Sequence, residues 1–194
     1  TILVGQDSVG AELTTGAVGH DYYGEAVAVT GRIVAANSGL IQTGENSVGI
    51  RLNGARYGVE HSWQSYEYPA GTVDHTVSAD VLGEALLQNT GTIRTGANST
   101  AVEVTGHGIY GVNVYNVGSI DAGQGVALKV NAANAIGSTI LNGGSIVGDI
   151  LLGDGDDLFV HAQNVDPATG TATSTGNIFM DSHTIDFGGG TNTF

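Results

Sequence analysis

The chain has 194 residues, of which 32 are glycine, 2 are proline and none is cysteine. Five Lys+Arg against 19 Asp+Glu leave a net charge of −14, which argues against nucleic acid or anionic membrane as a partner, because both need clustered cations. The lack of cysteine excludes disulfides and thiolate metal sites, and no apolar run approaches the ~18 residues of a helical membrane span.

In chain order, Gly5 to Leu13 matches Gly44 to Leu52, so Thr1 falls inside a repeat. Residues 16–25 read as an aromatic-tipped loop before a strand at Ala26-Val27-Ala28-Val29. Asn37 to Gly54 then aligns without gaps on Asn89 to Gly106. Further copies begin at Asn116-Val117-Gly118-Ser119-Ile120, at Asn142-Gly143-Gly144-Ser145-Ile146 and, more weakly, at Ser174-Thr175-Gly176-Asn177-Ile178. The consensus is Asn-x-Gly-x-Ile, a break at glycine, then alternating apolar residues such as Val102-Glu103-Val104.

Alternation at a period of two residues marks strands. Asn89 to Asn116 is 27 residues and Asn116 to Asn142 is 26, too short for a helical-pair repeat. Short strands recurring at that interval predict an all-β, right-handed parallel β-helix, its coils stacked at about the 4.8 Å strand spacing. Ile41, Ile93, Ile120, Ile146 and Ile178 then form an inward core column. Gly39, Gly91, Gly118, Gly144 and Gly176 fall where the corner needs positive φ or has no room for a Cβ. Asn37, Asn89, Asn116 and Asn142 either stack as an amide ladder or serve as turn residues.

The longest departure from the repeat is 55–88, read as one excursion from a single domain spanning 1–194. It holds the only tryptophan, Trp63, with His61, Tyr66, Tyr68 and His75 nearby. Ser78 is placed as the cap of a short helix with Val81, Leu82, Ala85 and Leu86 on one face. Excursions from a solenoid carry function more often than its coils do. His61, Trp63, Tyr66 and Tyr68 are therefore the candidate ligand-binding residues, suited to carbohydrate or protein contact; the same aromatics could instead pack the excursion down. Residues 107–115 read as a third strand around Val112-Asn113-Val114, and 160–173 as a polar excursion.

Gly153-Asp154-Gly155-Asp156-Asp157-Leu158-Phe159 resembles half of a calcium-binding nonapeptide repeat, with Asp154, Asp156 and Asp157 as oxygen ligands. Such sites need consecutive copies, and the other candidate, Gly188 to Phe194, carries Asn192 in place of an aspartate. An acidic surface turn without metal is favoured, so no cofactor is expected. Catalysis is not expected either. The cations Arg32, Arg51, Arg56, Arg94 and Lys129 form no motif, and the histidines at 20, 61, 75, 107, 161 and 183 are scattered.

The repeated Asn-x-Gly-x-Ile blocks, with the closing pair Gly144 to Phe159 and Gly176 to Phe194, resemble passenger domains of bacterial autotransporters, the type V secretion family. The resemblance covers most of the chain except 55–88. It implies a protein exported from a Gram-negative cell and displayed at, or released from, the outer membrane, with adhesion or matrix formation as its role. The targeting segment and the outer-membrane barrel are expected outside this stretch, which is not itself membrane-spanning. The partners implied are a host or matrix surface, glycan or protein. Both ends lack a polar cap, so the chain reads as a segment of something longer or a subunit stacking end to end into fibres. The alternative is a glycan-binding or polysaccharide-degrading β-helix protein.

Overall fold

The computed structural model describes residues 1–15, 18–20, 26–28, 32–54, 59–67, 71–79, 83–106, 109–132, 136–173 and 184–194. These residues form strands and no helix, hence none long and apolar enough to cross a membrane. A first coil holds β1 (Ile2–Leu3), β2 (Val9–Thr15), β3 (Val18–His20), β4 (Ala26–Ala28) and β5 (Arg32–Asn37). The second holds β6 (Leu40–Gln42), β7 (Val48–Gly54), β8 (Val59–Glu67), β9 (Gly71–Ala79) and β10 (Gly83–Asn89). The third is tighter, with β11 (Thr92–Arg94), β12 (Thr100–Gly106) and β13 (Ile109–Asn116). Then come β14 (Ser119–Ala132) and β15 (Ser138–Asn142), followed by β16 (Ser145–Leu151) and β17 (Leu158–His161). Last are β18 (Val165–Asp166), β19 (Thr171–Ala172) and β20 (Ile185–Asp186).

Two parallel sheets carry the stack. One runs β1-β6-β11-β14-β12-β7-β2, with β16 beside β14 and β20 beside β16; the other runs β17-β15-β13-β10-β5. Equivalent strands of successive coils are hydrogen-bonded neighbours, an arrangement consistent with a β-solenoid. The register is the one the repeat predicts. Ile41 pairs with Ile93, Ile93 with Ile120 and Ile120 with Ile146. Ile93 and Ile120 are fully buried, and Ile146 packs against the same core. Ile178 and Gly176 lie outside the described residues. Burying one such side chain contributes about 1.5–3 kcal/mol, so each added coil brings its own share of core.

The glycine column is steric rather than torsional. A Cβ on Gly91 would stand 2.2 Å from the Gly39 carbonyl oxygen, one on Gly118 2.0 Å from that of Gly91, and one on Gly144 2.1 Å from that of Gly118. Beside it runs the amide ladder. The Nδ2 of Asn37 donates to Asn89 Oδ1 at 2.8 Å, Asn89 to Asn116 at 2.7 Å, and Asn116 to Asn142 at 2.7 Å. Gly39 N–H and Gly144 N–H donate to the Oδ1 atoms of Asn37 and Asn142, which fixes the direction of the amides. His161 closes the column, its Nδ1 3.1 Å from Asn142 Nδ2. With Asn142 as donor, His161 Nδ1 accepts and its proton sits on Nε2.

The predicted helix after Ser78 does not form in the described residues. Ser78 lies in β9, and Ala85 and Leu86 lie in β10; Val81 and Leu82 are outside the described residues. Strand β10 pairs with β5 on one side and β13 on the other, and two ladders outweigh a weak local helical preference. Ala85 and Leu87 enter the core. Leu86 takes the opposite face of the sheet and is nevertheless 5% exposed, which gives the unbroken Ala-Leu-Leu run that resembles a helical face.

The polar excursion at 160–173 folds back as a strap. Its β18–β19 pair is antiparallel, and Ala162 and Val165 pack with Leu141, Tyr115 and Val117 on the outside of the stack. Gln88 Nε2 donates to the Pro167 carbonyl at 2.6 Å, and Gly170 sits against the Tyr115 ring, where a Cβ would be 2.6 Å from it. The strap thus ties the fifth coil back to the third and second. Thr169 Oγ1 and Ala168 N–H donate to Asp166 and hold its carboxyl below the usual carboxylate range.

Candidate functional site

The site begins at one corner of the stack, where Thr15, Gly54 and Gly106 stand in register. The third coil crosses from Gly106 to Ile109 through residues 107 and 108 alone. The first and second coils instead insert hairpins at that same corner. In the first, Val18 pairs with Ala28 and His20 with Ala26. In the second, β8 and β9 pair from Val59 with Ala79 to Glu67 with Gly71, and Gly71 at φ 84° helps close the turn. Strand β4 lies against β9, so the two hairpins project side by side.

Alternation along β8 and β9 explains this ribbon. Val59, His61, Trp63, Ser65, Val73, His75, Val77 and Ala79 occupy one face. Glu60, Ser62, Gln64, Tyr66, Thr72, Asp74, Thr76 and Ser78 occupy the other. Among the four predicted ligand-binding residues, His61 and Trp63 therefore share a face, and Trp63 stands directly opposite His75. Tyr66 falls on the other face. Tyr68 lies outside the described residues. His75, outside the predicted set, shares the face of His61 and Trp63, and the strict alternation from Val73 to Ala79 is the signal that places it there.

The cations are engaged within the stack. Arg51 Nε meets Glu103 Oε2 at 2.8 Å, with Glu12 at 4.0 Å on its other side. Arg94 meets Asp121 at 3.1 Å and Arg32 meets Glu84 at 3.3 Å. Lys129 stands in register beside Glu103, and Arg56 is outside the described residues. Exposed pairs of this kind stabilise by about 0–1 kcal/mol each. Their consequence is that these guanidiniums already face carboxylates of the next coil.

The acidic turn has a structural use as well. Despite the separation in sequence, Gly153 to Phe159 is stacked directly against Gly188 to Phe194, because the strap leaves the stack between them. Asp154 Oδ1 accepts from Gly189 N–H at 3.0 Å and Asp156 Oδ1 from Thr191 N–H at 2.8 Å. Phe159 and Phe194 stack with ring centroids 5.5 Å apart. Asp157 points inward instead, is 2% exposed, and accepts from Ser138 N–H at 2.7 Å. Asn192 repeats the motif one coil on, accepting from Asp157 N–H at 2.9 Å. Among the described residues no group of three or more His, Asp or Glu gathers around a common point that could hold a metal ion.

Burial, with the neighbouring Asp156 charge, pushes the Asp157 carboxyl up, against the pull of the Ser138 N–H and hydroxyl. The folded state therefore holds the proton more tightly than the unfolded chain. The associated stability is present below the ordinary carboxylate pKa of about 3.9 and is lost as pH rises through the raised folded value. Asn in its place keeps the acceptor for the Ser138 N–H without a charge that burial disfavours. Asp157→Asn is expected to raise stability at pH 7 by on the order of 1 kcal/mol and to flatten the acid limb. Urea midpoints across pH 4 to 7 check this, and a less stable variant at pH 7 would contradict it.

No protein-family model, curated protein or solved structure matches this chain.

Proposed function

We propose that the chain is a structural and adhesive segment of an exported, surface-displayed passenger of the autotransporter type, wound as a right-handed parallel β-helix. The observation that supports this reading is a division of labour. Amides, guanidiniums and carboxylates of the coils bind the next coil, whereas two hairpins are set outside the stack at one corner. The stack is the rod, and the hairpins are its contact element for a host or matrix surface. The pairing of Trp63 with His75 on one ribbon face favours a glycan as the second reading, since an indole offers a flat apolar surface to a sugar ring.

The third coil supplies the test, because it spans the same corner with two residues. Replacing 55–82 by His-Gly should leave the unfolding midpoint of the stack within a few degrees. It should lower retention on immobilised extracellular-matrix proteins and neutral glycans by about tenfold or more. Equal retention by parent and variant would contradict the adhesive reading, and an undiminished glycan signal for Trp63→Ala would sink the glycan reading. The absence of catalysis is tested separately with polygalacturonate and neutral polysaccharides: release of new reducing ends would overturn it.

A further inference from the structure

A second departure from the repeat is the strap after β17. It starts from His161, which pairs with Asn142, whereas the hairpins lead into the first residues of β5 and β10. Strap and hairpins therefore stand at opposite ends of the same sheet's strands. The strap is held at three points: Val165 packs with Leu141, Pro167 accepts from Gln88, and Gly170 rests against the Tyr115 ring. Between the strap and the corners at Val117 and Gly143 lies an open cleft of about 400 Å³, in the size range of a small-molecule site.

The cleft has an apolar floor and an acceptor-rich rim. Val117 and Val165 form the floor, and Gln163, Asp166 and Thr171 stand around it. Asp166 and Thr171 are opposite one another in the β18–β19 pair. Asp166 accepts from Ala168 N–H at 2.9 Å and from Thr169 Oγ1 at 2.8 Å. That engages the single hydroxyl proton of Thr169, so in the 2.9 Å contact between Thr169 and Thr171 Thr171 is the donor. The Thr171 oxygen and the carboxylate are then left with lone pairs alone, fixed in place by the turn. Among the described residues lining the cleft, Asp166 alone is ionisable, so no cation there neutralises a phosphate or an acidic sugar. One carboxylate falls far short of the about 6–8 oxygens that calcium takes, and an ion makes no use of an aliphatic floor. A neutral sugar uses both surfaces: its hydroxyls donate to the rim, and its C–H face lies on the valines.

We propose that the strap cleft is a binding site for a neutral hexose unit, recognised through Asp166 and Thr171. The site rests on the contact role proposed above, yet it is separate from the hairpins. The rod then carries two contact elements, one at each end of the same sheet's strands.

The probes are the methyl glycosides of glucose, galactose, mannose and N-acetylglucosamine, followed by saturation-transfer NMR. At least one is expected to bind saturably, with its ring C–H protons the most strongly saturated. Asp166→Asn and Thr171→Val should each weaken that binding by about tenfold or more, while Trp63→Ala leaves it unchanged. Thr171→Val keeps the bonds of Ala168 and Thr169 to Asp166, so its effect is separate from any loosening of the strap. Binding of none of the four glycosides, or binding that survives both strap variants, would overturn the proposal. Loss in Trp63→Ala with both strap variants unaffected would overturn this site while keeping the glycan reading of the hairpins. Displacement of the sugar by Nα-acetyl-lysine methylamide would mark an ammonium site instead and overturn it equally.

Discussion

Replacing Asn116 with alanine is expected to lower the unfolding free energy by about 3 kcal/mol or more. Asn116 is fully buried and sits in mid-ladder, accepting from Asn89 at 2.7 Å and donating to Asn142 at 2.7 Å and to the Ser145 carbonyl at 3.1 Å. Three short bonds at about 1 kcal/mol each vanish together, and their partners are left poorly solvated at the corner. Asn37→Ala is the comparison. Asn37 donates to Asn89 at 2.8 Å and to the Thr92 carbonyl at 3.4 Å and accepts from Gly39 N–H at 3.2 Å, but it accepts no ladder bond, so its loss should cost about 1 kcal/mol less than that of Asn116. Chemical denaturation of both variants checks the difference. Equal losses at the two positions would mean that the side chains act as independent turn residues rather than as a ladder.

Gly118→Ala is expected to be at least as damaging, at about 3 kcal/mol or more, for a steric reason. The new Cβ would meet Gly91 O at 2.0 Å, the Thr90 carbonyl carbon at 2.8 Å and Gly91 N at 2.9 Å. All three are backbone atoms, so the only relief is to push apart a pair of hydrogen-bonded coils. Gly111, in β13 between two paired strands, is the comparison, because the nearest atom to a Cβ there is Glu84 Cγ at 3.8 Å. Gly111→Ala should therefore shift the midpoint little. Failure of Gly118→Ala to fold while Gly111→Ala is stable is the expected result. Comparable stability of the two would show that the coils are not stacked as described.

The repeating elements of the fold were legible because each copy obeys the same constraint. Ile93 and Ile120 face a shared core, Gly91 and Gly118 a shared backbone, and Asn89 and Asn116 a shared ladder. What did not repeat was harder. The aligned Gly-x-Asp/Asn-Ser segments form a second recurring turn, whose left-handed backbone the alignment alone does not show: it places Asp7, Asn46 and Asn98 at φ 55°, 52° and 53° and aligns Ser8 beneath Ser47 and Ser47 beneath Ser99. The Asn/Asp preference for that backbone region is its physical signature.

The candidate site was only half legible. Sequence proximity gathers His61, Trp63, Tyr66 and Tyr68, whereas strand alternation sets Tyr66 on the other face from the first two and brings His75 into register with Trp63, a pairing that depends on the length of the turn between β8 and β9. The helix expected after Ser78 failed for a related reason: Ala85-Leu86-Leu87 is apolar on both faces of a sheet, and local pattern alone does not distinguish that from a helical stripe. His161, the last member of the amide ladder, was not foreseen because it replaces asparagine in the column, and only the β15–β17 register reveals it.

The fold rests on coils lying in register, and one distance tests that most directly. Thr14, Asn53, Thr105 and Asn131 form an outward column, with Thr14 and Asn131 exposed. The chain contains no cysteine, so Thr14→Cys with Asn131→Cys can carry two spin labels and no others. Three coil steps of about 4.8 Å place the two backbones about 14 Å apart, and a narrow distribution of label distances consistent with that separation is the predicted result. A broad distribution at much longer distances would contradict the stack, and with it the rod and the paired hairpins it carries.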